Sequence, residues 1–168
     1  MTRLRSAAVT GSFAVQDADE LTQLTAFLDE YRTAIDATLD GLTEEQARRR
    51  LVPSATTLLG LLCHVAFVET VWFGQTVTGT SRAELGIPES VEESFRPSDD
   101  DTVASVRARY REVCARSRRA IAGLGPDDVV RGRGRPVTVR WLHLQVLKEL
   151  AHHSGHADIL REQILATG

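Results

Sequence analysis

Apolar residues recur every three or four positions through four long stretches of this chain, and strong runs that alternate apolar and polar residues, as a half-buried strand would, are absent. That period lines up one face of an α-helix. Leu21, Leu24, Leu28, Tyr31, Ile35, Leu39 and Leu42 mark a first helix from Asp19 to Gly41. Thr43-Glu44-Glu45-Gln46 reads as a capping box that opens a short helix through Arg50, with Pro53 closing the turn. Leu58, Leu61, Val65, Val68 and Trp72 mark a second long helix, from about residues 54–57 to Thr78, stopped by Gly79. Ser98 with Asp99, Asp100 and Asp101 caps a third, which runs to Gly123 and turns Val103, Val106, Tyr110, Val113 and Ile121 inward beneath an arginine-rich outer face. Thr138 starts the last helix, which reaches almost to the C-terminus.

The connections are uneven. Residues 80–100 carry Gly86, Pro88 and Pro97 and read as a surface connection of a length that often covers a site. Residues 129–139, with Gly132, Gly134 and Pro136, read as a loop or a short extended excursion. Residues 1–17 lack a period and read as an irregular arm, leaving residues 18–168 as one domain. The expected fold is therefore all-α: a four-helix bundle with long inter-helix loops. Hydrophobic residues make up 42% of the chain, enough to close a core without staples, and Cys63 and Cys114 both lie in apolar helical patterns where a thiol behaves as a small buried hydrophobe. A net charge of −3 favours neither a nucleic acid nor an acidic membrane surface as partner. No run approaches the ~18 apolar residues that span a bilayer. The expected location is cytoplasmic.

The chemistry gathers in the last helix. Leu142, Val146, Glu149, His153, His156, Leu160 and Ile164 step by three or four along one face that is apolar at both ends. Glu149, His153 and His156 in its middle would be costly to bury without partners. His152 falls beside Gln145 and Lys148 on a polar face and is set aside. In the second helix His64 lies between Leu61 and Val68 on the core stripe. A carboxylate and an imidazole four residues apart, joined by an imidazole from a facing helix, can hold a divalent metal with positions left open for water or substrate. The plainer reading of each histidine alone is a hydrogen-bonded core residue; several converging on one small bundle favour a metal.

Two stretches carry a resemblance. Leu51-Val52-Pro53-Ser54, followed by Leu58-Leu59-Gly60-Leu61-Leu62-Cys63-His64-Val65-Ala66-Phe67-Val68-Glu69, and later the run from Glu149-Leu150-Ala151-His152-His153-Ser154-Gly155-His156 to Glu162, are similar in sequence, order and separation to the signatures of the DinB-like proteins. That resemblance implies a four-helix bundle with a metal held by a histidine on the second helix and two ligands four apart on the last. The mycothiol-dependent maleylpyruvate isomerase branch is similar in using Glu-x-x-x-His there. By position this implies His64, Glu149 and His153. Relatives with His-x-x-x-His would instead select His152 and His156, but the family's Gly-Gln step after the second ligand matches Gly155-His156. His156 is then an additional ligand or a catalytic proton carrier.

The implied activity is that of a metal-dependent enzyme, a thiol S-transferase or isomerase, that joins or rearranges a small electrophilic substrate with a low-molecular-weight thiol such as mycothiol. The implied cofactor is a divalent metal, zinc first, with nickel, iron or manganese as alternatives. Arg131, Arg133, Arg135 and Arg140 could bind an anionic substrate or form a solvated basic loop; Trp72 and Phe73 could line a pocket or pack in the core. The alternative is a non-catalytic metal-binding or structural homodimer of the same fold, with a role in stress response. The chain has neither a Gly-x-Ser-x-Gly elbow nor a Gly-x-x-x-x-Gly-Lys-Ser/Thr loop, which argues against acyl and phosphoryl chemistry.

Overall fold

Asp19 opens the first long helix by accepting a hydrogen bond from the Thr22 backbone, and α1 runs Glu20–Ala37. The computed structural model describes residues 11–167, so most of the expected N-terminal arm lies outside the described residues. Its described end is a 3₁₀ turn, Gly11–Val15, tied down where the Ser12 backbone donates to Glu30. The Thr43–Gln46 capping box forms as expected and opens α2, Glu44–Arg48. Next comes α3, Leu58–Glu69, which continues through a π-helical segment, Thr70–Gln75, into a last turn, α4, Thr76–Thr78. The short α5, Arg82–Leu85, precedes a 3₁₀ turn at Glu93–Phe95. α6 is Val103–Ala120 and α7 is Val139–Ala166. α1 packs along α7, and α3 packs against both α6 and α7. The result is the all-α bundle that the periodicity requires.

Several local expectations change. Thr102, not the Ser98–Asp101 run, caps α6, exchanging hydrogen bonds with Ser105; Ser98 instead closes its own turn on Asp101. The 129–139 stretch takes the extended option, with Val129 paired to Thr138 and Val130 to Val137 in an antiparallel hairpin, β1 Val129–Val130 and β2 Val137–Thr138. Gly132 docks this hairpin by donating its N–H to the Thr76 carbonyl, so close that a β-carbon there would collide with the backbone of Gln75, Thr76 and Gly79. The expectation that no segment is apolar enough to span a bilayer is also corrected. Leu58–Thr78 passes that test by length and composition, but 78% of its most apolar window is buried inside the bundle. Its apolarity is that of a central core helix.

Three arginines of α6 are bound to acids of α1 and of the turn just after it. Arg107 grips Asp36 through two hydrogen bonds and also meets Asp40, Arg111 joins Asp36, and Arg118 joins Asp29. A deeper ion pair lies inside. Arg32 of α1 donates through Nε and an Nη to the two oxygens of Glu69 on α3, each at 2.8 Å, and Glu69 is 0% exposed. Burial works against the Arg32 charge, but Glu69 outweighs it and holds the guanidinium pKa above its ordinary value. Phe73, fully buried, lies under that guanidinium and against His143.

Removing one partner leaves the other charge buried and alone, which costs about 3–5 kcal/mol. Glu69→Gln is therefore expected to lower unfolding free energy by about that amount in a urea titration, and the double change Arg32→Met with Glu69→Leu by much less. Equal loss in both would show that the charge pairing is not what matters there.

Candidate metal centre

α3 brings His64 to the middle of the bundle because Leu61, Leu62, Val65 and Val68 around it are all buried, leaving its imidazole only 4% exposed. α7 brings Glu149 and His153 alongside. A ligating atom from each of His64, Glu149 and His153 lies within 4.8 Å of the others. The His64 and His153 rings meet edge to face at 4.6 Å, and one Glu149 oxygen stands 3.7 Å from His153 Nε2. The other Glu149 oxygen accepts from Gln145 and sits 3.1 Å from Lys148.

The long connection before α6 supplies the next layer. The Ser94 hydroxyl donates to the Val91 carbonyl at 2.5 Å, so its oxygen receives the Nδ1–H of His64 at 2.8 Å. That hydrogen bond fixes the tautomer and leaves the Nε2 lone pair free. Phe95 lies flat on the same imidazole at 3.9 Å. Gly60, one turn earlier on α3, makes this possible, since a β-carbon there would collide with the Phe95 carbonyl.

Both imidazoles are neutral at pH 7. Burial, helped by His153, pushes His64 down to about 3. Burial likewise takes His153 down to about 4, with His152 and His156 adding to the fall and Glu149 opposing it. Two neutral nitrogen donors and one carboxylate make a site with a single negative charge, which suits a divalent cation bound at about 2.0–2.2 Å from each ligand. His153 Nδ1 is buried without a hydrogen-bond partner among the described residues. The donor set thus fits zinc or a similar ion, and its open side faces a cleft.

That cleft, about 410 Å³, is walled by Phe67, Val68, Val71, Trp72 and Phe95, with Arg82 and Arg133 also lining it. Larger hollows elsewhere on the surface hold none of the three candidate ligands. Trp72 lines the cleft, whereas Phe73 belongs to the core. Of the four arginines singled out from the sequence, only Arg133 lines this cleft. Arg135 lines a neighbouring one beside Trp141, and Arg140 is held by Glu20 and Asp127. His156 departs from expectation. It is exposed, and Ala157 takes the buried place on the inner face. The His156 ring stands 5.7 Å from His153 and 4.4 Å from His152; His152 is exposed as expected but lines the cleft. Ser94, Phe95 and Arg82 were not singled out from the sequence; the length of their connection was its only signal.

A family model described as mycothiol-S-transferase matches residues 23–166 of the chain. The chain belongs to the mycothiol-S-transferase family. It is a family of the DinB-like superfamily, in agreement with the two signature stretches and the bundle they sit in. No curated protein matches the chain. The matched span includes His64, Glu149 and His153, together with the Ser94–Phe95 segment that braces His64.

Gly60→Ala is expected to push the Phe95 segment off α3 and to lower stability by about 1–3 kcal/mol in chemical unfolding. An unchanged midpoint would mean that the segment does not need to lie so close.

Proposed function

We propose that this member of the mycothiol-S-transferase family is a metal-dependent enzyme that joins a low-molecular-weight thiol, mycothiol by family, to a small electrophile. The observation that carries this reading is the convergence of His64, Glu149 and His153 at an apolar-walled cleft large enough for a small substrate. In this reading the three side chains hold one divalent ion, zinc first. A divalent ion there would lower the pKa of a thiol brought to it, as it does for water, so that thiolate forms at neutral pH.

The chain's own residues do the rest. Ser94 and Phe95 hold His64 in one tautomer and one orientation. Gln145 fixes the Glu149 carboxylate. Phe67, Val68, Val71 and Trp72 give the electrophile an apolar wall to lie against. The thiol proton leaves as the thiolate forms, by way of His152 at the cleft and His156 beside it in solvent. The thiolate sulfur then bonds to the electrophilic carbon, and the electron pair displaced there departs with the leaving group or, in an addition, is protonated from solvent. Both cysteines are free, which accords with a reducing, cytoplasmic setting where small thiols stay reduced.

The test is mycothiol consumption with a panel of electrophiles, using zinc-loaded protein, chelator-treated protein and the Glu149→Gln variant. The zinc-loaded wild type should exceed the uncatalysed rate, and the other two should lose about 10- to 100-fold or more of that excess. No consumption by zinc-loaded, folded wild type with any electrophile would favour the non-catalytic alternative.

A further inference from the structure

The cleft holds more positive charge than the metal chemistry uses. Arg82 and Arg133 both line it, and neither pairs with an acidic side chain among the described residues. Arg82 donates to the Glu89 carbonyl and lies over the Phe67 ring at 5.3 Å, while Arg133, at the tip of the hairpin, lies over Trp72 at 5.0 Å. Of the acids close in sequence, the Glu89 carboxylate makes no ion pair with Arg82 among the described residues, and three others are engaged elsewhere. Glu84 caps Ser81, Glu93 accepts from the Ser90 backbone, and Glu92 pairs with Arg96. Some other arginines are matched to carboxylates, as Arg107 is to Asp36 and Arg140 to Glu20, and others, such as Arg48, Arg50 and Arg161, donate to backbone carbonyls away from the cleft.

A guanidinium resting on an aromatic face keeps its N–H edge turned outward for a planar, two-oxygen anion, and Arg82, which spends one N–H on the Glu89 carbonyl, has others left for it. Phe67 and Trp72 thus hold both guanidiniums beside the apolar walls that would hold the electrophile. Glu149 does not answer this charge, being engaged with Gln145 and Lys148 and placed with the two histidines. We propose that the electrophile accepted by this cleft carries a carboxylate, which Arg82 and Arg133 bind while its apolar body lies against Phe67, Val71 and Trp72. The proposal rests on the transferase reading for the word electrophile, but the anion site itself can be tested by binding alone.

Two matched pairs separate the possibilities. For binding, the probes are the unreactive 4-nitrobenzoate and 4-nitrobenzamide, titrated calorimetrically into zinc-loaded wild type and into the double variant R82Q/R133Q. For turnover, the probes are 4-chloro-3-nitrobenzoate and 4-chloro-3-nitrobenzamide with mycothiol, where sulfur replaces chloride at the ring carbon and one proton and one chloride are released.

Charge-assisted hydrogen bonds of about 1.5–3 kcal/mol correspond to a carboxylate preference of about 10- to 100-fold in the wild type. The same ratio should fall to within about 3-fold in R82Q/R133Q, with circular dichroism and the unfolding midpoint showing that the variant remains folded. A preference in binding without any turnover would support the anion site and exclude aryl chlorides as the electrophile, the transferase reading itself being decided by the wider panel. Turnover of both substrates with no carboxylate preference would overturn the anion site and leave the transferase reading standing. A preference that survives in R82Q/R133Q would also overturn it, since the metal rather than the arginines would then be holding the carboxylate.

Discussion

α3 is buried on nearly every side, yet it carries two polar side chains that must find partners in the interior: His64 and, just over a turn later, Glu69. Most of the bundle can be understood from how those two demands are met. Glu69 is answered within the protein by Arg32, a bidentate ion pair that reaches from α1 to α3 and leaves neither charge unmatched. His64 is answered on one side only. Ser94 takes Nδ1–H, and the rest of the ring meets Phe95, His153 and the cleft. A helix that could have been wholly apolar is thus fixed at one point by a closed ion pair and at the other by an incomplete donor set. The incomplete one opens on the cleft, where the proposed ion would sit.

The outer layers serve that second point. The connection between α5 and α6 has little regular structure, but Gly60 lets it lie against α3 closely enough for Ser94 and Phe95 to clasp His64. On the other side Gly132 seats the β1–β2 hairpin on the end of α4, which puts Arg133 over Trp72 at the cleft. Two glycines at close backbone approaches therefore set the walls of the site, while the helices set its floor.

Much of this was legible from residue spacing. The helical period alone carried the fold class, and the α3 and α7 stripes brought forward His64, Glu149, His153 and His156, of which the family resemblance implied the first three as ligands, and these the fold brings together. The same period misplaced His156, because a step of three or four from His153 is equally helical; packing buries Ala157 and leaves His156 in solvent. Arg32 was passed over because a charged residue on a first helix ordinarily faces water, although the lone acid in the apolar run Leu58–Glu69 was a sign that some cation must meet it. Ser94, Phe95 and Arg82 could not be read at all, since they sit in a connection with no period. Their positions depend on contacts distant in sequence, and only its length hinted that it covered something.

The central claim is that His64, Glu149 and His153 form a metal site rather than a polar cluster in the core. Elemental analysis of the purified wild type beside His64→Ala, Glu149→Ala and His152→Ala tests it most directly. The account predicts close to one equivalent of a divalent metal in the wild type and in His152→Ala, and little in the other two while they remain folded. A folded wild type that takes up no metal even on reconstitution, or a metal content that follows His152 rather than Glu149, would contradict it.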